Sequence, residues 1–183
     1  ALSKATGKKS TDKFVSDLKK ALEGGKVEDA KKVCADQGGA IGNAVLCAVN
    51  KYEEMLTETT LKKEDRALAI RNALDEGINF EMPTLQQNMP IIFTNTTLGT
   101  LMGLFGTVLG MIKSFSALGN SGAPDSSALS QGISEALVNT ASGIATGALA
   151  VIAYNYYDTK INDITYKMNE AGAAIIAVFE AKA

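Results

Sequence analysis

The chain has 183 residues, room for one or two domains, with 46% hydrophobic residues, 21% charged residues and a net charge of -2 at pH 7. That balance offers nothing to a nucleic acid, and the lack of any histidine removes the commonest general base and metal ligand. Two cysteines, Cys34 and Cys47, are too few for a zinc site or a disulfide scaffold. They read as buried thiols in a reducing compartment, and the N-terminal residues do not have the pattern of a secretory signal.

The averages conceal a segregation of charge. Residues 1–81 carry 14 of the 18 Lys and Arg and 14 of the 20 Asp and Glu. From Met82 to Ile112 there is no charge, and Lys113, Asp125 and Glu135 are the charged residues between there and Tyr157. The pattern is a polar portion followed by a membrane portion. The fold class expected is an all-α membrane protein with long transmembrane helices and a cytoplasmic helical domain.

In chain order, residues 1–9 are small and basic, a frayed start. Ser10 or Thr11 caps a helix running to Glu23, with Phe14, Val15, Leu18 and Leu22 at helical spacing. Gly24 and Gly25 end it. A second short helix spans 27–37 and closes at Gly38 and Gly39. A third spans 41–58, with Val45, Leu46, Val49 and Met55 roughly on one face. Thr60, with Glu64 and Asp65 near the first turn, starts a fourth that runs from Leu61 towards Phe80 and on into the membrane, with a bend or break at Pro83 or Pro90. Residues 1–82 are therefore expected to form a cytoplasmic domain of short helical hairpins.

Residues 91–112 form an uncharged block of 22, roughly 33 Å long as a helix. Gly99, Gly103, Gly106 and Gly110 fall at intervals of four, three and four, so they share a face. In water each would weaken a helix by nearly 1 kcal/mol, whereas in lipid small residues let helix backbones approach closely. The first span with its cytoplasmic extension is placed at 83–118. Residues 114–127, with Gly119, Gly122, Pro124 and several serines, read as a turn whose tip at 119–127 is periplasmic. Lys113 is the one basic residue at its edge, against fourteen before the first span and three after the second, so both ends of the chain are expected in the cytoplasm. The second span, 128–157, contains 22 uncharged residues after Glu135. Residues 158–183 alternate charge with Ile161, Ile164, Met168, Ile175 and Val178 and continue as a cytoplasmic helix.

An ionised carboxylate inside a bilayer costs a few kcal/mol or more and by default marks function. Asn139, Ser142 and Thr146 follow Glu135 at four, seven and eleven residues and Gln131 precedes it by four, which draws one hydrophilic seam along an apolar helix. Thr140 lies on its flank, and Gly143 and Gly147 form a small-residue pair on an adjoining face. The seam serves either as interhelical hydrogen-bond glue or as a proton path. A carboxyl group in a low-dielectric passage has its pKa raised, so it can exchange protons near neutral pH. Transfer of one charge then yields about 2.3 kcal/mol per 100 mV of membrane potential.

GLFGTVLGMIKSF (103–115) followed by GISEALVNTASGIATGALAVIAYNYY (132–157) resembles the last two membrane helices of the TolQ/ExbB/MotA proton-channel family, ExbB and TolQ above all. The short helices before it, with Ala30, Cys34 and Cys47, resemble that family's cytoplasmic region. The resemblance implies a bacterial inner-membrane ring, a pentamer, around the spans of an ExbD- or TolR-like partner. In that family proton-motive force drives a TonB- or TolA-like transducer that serves outer-membrane import. The family's pore glutamate falls on Glu135 and its pore threonine on Thr140. A second pore hydroxyl falls on Leu98, which leaves Thr97 or Thr100 to substitute. The family's usual first membrane helix has no counterpart here, so the chain is expected to be a fragment or to omit it. Alternatives are a TolQ-like subunit, a gliding or secretion motor, and a passive membrane scaffold. With no histidine, no phosphate loop and no nucleophile beside a base, the sequence implies no enzyme, cofactor or metal.

Overall fold

The computed structural model describes residue 7 and residues 11–120 and 126–182. Every regular element among them is an α-helix: α1 (Thr11–Glu23), α2 (Val27–Gln37), α3 (Gly39–Thr57), α4 (Lys63–Gln86), α5 (Met89–Asn120) and α6 (Ser126–Lys182). They fall into two compact units, one of Ala1–Gln87 with Thr159–Ala183 and one of Asn88–Asp158.

The first unit is built on apolar residues three and four apart. Phe14, Leu18 and Leu22 of α1 meet Ala30 and Cys34 of α2, and Ile41, Val45, Val49, Tyr52 and Met55 of α3. Ile70, Leu74 and Ile78 of α4 complete one wall, and Ile164, Met168, Ile175, Val178 and Phe179 of α6 fill the centre. Burial of each large side chain contributes about 1.5–3 kcal/mol. Tyr52 and Phe179 meet edge to face with centroids 5.7 Å apart. The Arg66 guanidinium lies 5.5 Å over the Phe179 ring and donates to the Glu58 carbonyl at 3.0 Å. The Lys182 ammonium donates to the Leu22 carbonyl, joining α6 to α1. Between α2 and α3 the chain reverses at Gly38 and Gly39, with φ of +61° and +64°, values that favour glycine.

The second unit is a hairpin of α5 and the first half of α6. Only 17% of the most apolar window of either helix is buried. Leu98, Leu101, Leu104, Phe105, Leu137, Val138, Leu149 and Ile152 point outwards, while glycines lie inside. That is the reverse of a water-soluble helix pair and suits a lipid solvent. Both helices exceed the ~20 residues that a bilayer requires.

Three expectations change. Pro83 does not break the chain; it lies inside α4, and the interruption falls after Gln86. Pro90 is the second residue of α5, in a first turn whose N–H groups lack helical partners anyway. Secondly, residues 114–120 are helix rather than turn, with the Ser114 hydroxyl bonded to the Gly110 carbonyl at 2.8 Å. Gly122 and Pro124 lie outside the described residues. Thirdly, Cys34 is buried but Cys47 is exposed, because it sits on the outer side of α3.

Candidate functional site

The hairpin is held by backbone-to-backbone approach. A Cβ added at Gly143 would lie 2.5 Å from the Gly103 Cα and 2.7 Å from the Gly99 carbonyl oxygen. One added at Gly103 would lie 2.8 Å from the Gly143 Cα, and one at Gly110 would lie 2.9 Å from the Ala136 Cβ. Gly147 faces Thr96 and Thr100, and Gly106 faces Asn139. Six glycines thus form one contact stripe, Gly99, Gly103, Gly106 and Gly110 on α5 and Gly143 and Gly147 on α6. Such proximity brings polar side chains flanking the stripe within reach of the other helix.

At 100° per residue the polar groups divide between the two flanks. On one flank the Lys113 ammonium stands 3.3 Å from a Glu135 carboxylate oxygen. The Asn139 amide donates to the Gly106 carbonyl at 3.4 Å, and the Thr146 hydroxyl to the Ser142 carbonyl at 2.9 Å. Asn139, Ser142 and Thr146 line an open groove of about 710 Å³ with Asn95, Leu98 and Met102 of α5. On the other flank the Thr107 hydroxyl meets the Thr140 hydroxyl and donates to the Ala136 carbonyl at 3.1 Å. Thr100 is also on that flank, bonded to the Thr96 carbonyl at 3.4 Å. Thr97 is exposed, on the side of α5 away from the stripe.

Glu135, Asn139, Ser142 and Thr146 are therefore on one edge, with Thr140 and Thr100 on the other. The α5 hydroxyl that meets Thr140 is Thr107, rather than Thr97 or Thr100. Sequence reasoning passed over Thr107 although it stands in the GTV of the 103–115 motif; counting outwards from the turn pairs it with Thr140. The same count pairs Lys113 with Glu135. The side chains of that pair are 74% and 48% exposed. A charge pair presented to hydrocarbon is costly, so this edge suits a protein surface or an aqueous path.

A family model described as MotA/TolQ/ExbB proton channel family matches residues 48–170. The chain belongs to the MotA/TolQ/ExbB proton channel family. Its hairpin is accordingly that of an all-α membrane protein. Among relatives, the chain is 34% identical over 92 residues to the Tol-Pal system protein TolQ of Haemophilus influenzae, covering 50% of this chain and 40% of that one. It is 36% identical over 89 residues to the putative biopolymer transport protein ExbB-like 3 of Synechocystis, covering 48% and 42%. It is 25% identical over 163 residues to the biopolymer transport protein ExbB of Pseudomonas putida, covering 88% and 48%. The chain thus spans less than half the length of these MotA/TolQ/ExbB relatives.

Proposed function

We propose that this chain is a proton-channel subunit of an ExbB-like inner-membrane motor, in which proton-motive force drives a TonB-type transducer for outer-membrane import. One observation carries the reading: a single carboxylate, Glu135, stands at the start of a 22-residue uncharged stretch, on a polar edge of a glycine-packed hairpin. A carboxylate is a costly way to obtain an interhelical bond that averages about 0.6 kcal/mol, so glue does not account for it. Protonation and deprotonation of that carboxyl, driven by the membrane potential, is the step proposed to do work.

Asn139, Ser142 and Thr146 extend the path along the Glu135 edge. Thr140, with Thr107, supplies hydroxyls on the opposite edge; in a ring the two edges of neighbouring subunits converge on one passage. A pentameric ring, a single-span ExbD- or TolR-like subunit inside it and a TonB- or TolA-like transducer are the partners this reading requires. The first unit would be cytoplasmic, with both ends of this chain on that side and the α5–α6 connection in the periplasm. A TolQ-like role is the second reading, favoured by the similarity to TolQ of Haemophilus influenzae.

The test is Glu135→Gln in the full-length protein, co-reconstituted with its single-span partner in vesicles under an imposed potential. The variant should assemble normally but lose proton flux, and Glu135→Asp should keep part of it. Flux at the wild-type rate in Glu135→Gln would leave a passive scaffold as the better account.

A further inference from the structure

From Asn88 to Tyr157 the charged residues are Lys113, Asp125 and Glu135, and Asp125 lies outside the described residues. Lys113 and Glu135 are 22 positions apart and on different helices, yet their charged atoms stand 3.3 Å apart. By contrast, the ion pairs Lys19–Glu23, Lys31–Glu28, Lys32–Asp29, Lys51–Glu54 and Lys167–Asp163 of the first unit each join residues three or four apart on one helix, and Lys31–Glu53 joins α2 to α3. The remaining polar groups on the Glu135 edge are neutral: Gln131, Asn139, Ser142, Thr146 and Asn95. The other titratable side chains of this unit among the described residues, Tyr154, Tyr156, Tyr157 and Asp158, lie about five to six turns further along α6. Lys113 is therefore the charged group that faces Glu135 from the neighbouring helix.

We infer that Lys113 is a positioning residue for Glu135, holding the ionised carboxylate against α5 until a proton releases it. The inference rests on the reading of Glu135 as the proton-carrying group. When the carboxylate takes up a proton its attraction to the ammonium is lost, and what remains is at most a neutral-acceptor hydrogen bond. The four-carbon stem of Lys113 lets its head move to the aqueous rim, and the neutral carboxyl is free to leave α5. Loss of the proton to the other side restores the carboxylate and the pair. One proton enters and one leaves, with no other bond made or broken. The device couples occupancy of the carboxyl to its position, which a proton path needs if the two sides are to be reached in turn.

The test measures proton flux against pH for the full-length protein with its single-span partner in vesicles, read by an entrapped pH-sensitive dye under a fixed potassium diffusion potential. Wild type, Lys113→Gln, Lys113→Arg and Glu135→Gln are compared. Without the ammonium the ionised carboxylate loses the charge on α5 that favours it. Lys113→Gln should therefore move the half-maximal pH upwards by about half a unit, the scale of an exposed ion pair, and Lys113→Arg should bring it back. Lys113→Met, which keeps the stem without the charge, replaces the glutamine variant should that one fail to assemble. An unshifted midpoint in the uncharged variants, even with reduced flux, overturns the positioning role while Glu135→Gln remains inactive and the channel reading stands. Wild-type flux in Glu135→Gln overturns both.

Discussion

Substitution of Gly143 by alanine tests the geometry on which the hairpin depends. The added methyl would sit 2.5 Å from the Gly103 Cα, 2.7 Å from the Gly99 carbonyl oxygen and 2.9 Å from the Gly103 nitrogen. Carbon atoms rest at about 3.5–4.0 Å, and all three neighbours are backbone, so none can rotate aside. The helices must part by roughly 1 Å, and a gap of that size forfeits a quarter to a half of each contact along the stripe. Overpacking of this kind costs about 1–3 kcal/mol. Alanine returns up to about 1 kcal/mol of helix propensity, so the net loss expected is about 0–2 kcal/mol. Gly119→Ala provides the control. It makes the same chemical change near the end of α5, where an added Cβ meets nothing within 4 Å, so only the propensity gain applies. The difference between the two variants should be about 1–3 kcal/mol, measured as reversible unfolding of the full-length protein in mixed detergent micelles by circular dichroism. If Gly143→Ala proves as stable as Gly119→Ala, the helices do not meet at these glycines and the assignment of polar groups to the two edges fails with them.

Thr140→Val keeps the shape of the side chain but removes its bond with Thr107. Its stability loss should stay below about 1 kcal/mol, the usual scale for such bonds in membranes, while vesicle flux falls at least tenfold; an unchanged flux would make the threonine pair glue. Burial pushes the Cys34 thiol up to about 12 from its ordinary value of 9.0. Partial desolvation of the exposed Cys47, aided by the Glu76 charge, also raises that thiol. A maleimide at pH 8 should therefore label Cys47 in the folded protein and Cys34 only after unfolding. Because the folded value of Cys34 lies above the unfolded one, its contribution to stability is complete below pH 9 and is lost as pH rises towards 12. Labelling of both cysteines at equal rates in the folded protein would refute its burial.

Much of the architecture was legible because it is local. The bounds of α1 and α2, the glycine stops between them, the glycine row of α5 and the lone carboxylate in the membrane half of α6, residues 126–157, all follow from spacing and breakers within a dozen residues. Pro83 misled, since a proline on the exposed side of a helix can be tolerated by a turn that its neighbours hold. The end of α5 misled too, because serine and glycine in 114–120 weaken a helix without stopping it while Ser114 can bond back to Gly110. Of the candidate site residues, Glu135 was evident as a charge out of place. Thr107 was not, because a threonine inside an apolar run is unremarkable until the residue opposite it is known.

The one-dimensional pattern by itself determined that this chain is helical, that its charges are segregated from a lipid-compatible hairpin, and that Glu135 is its anomalous residue. Only the tertiary structure decided that Ile164, Met168, Ile175 and Phe179 fill the core begun by Phe14 and Leu18, that Lys113 meets Glu135, and that Thr140 lies on the opposite edge from them. The physical reason is that periodicity reports which face of a helix is apolar or polar, whereas the choice of partner for that face is made by close packing between segments far apart in the chain.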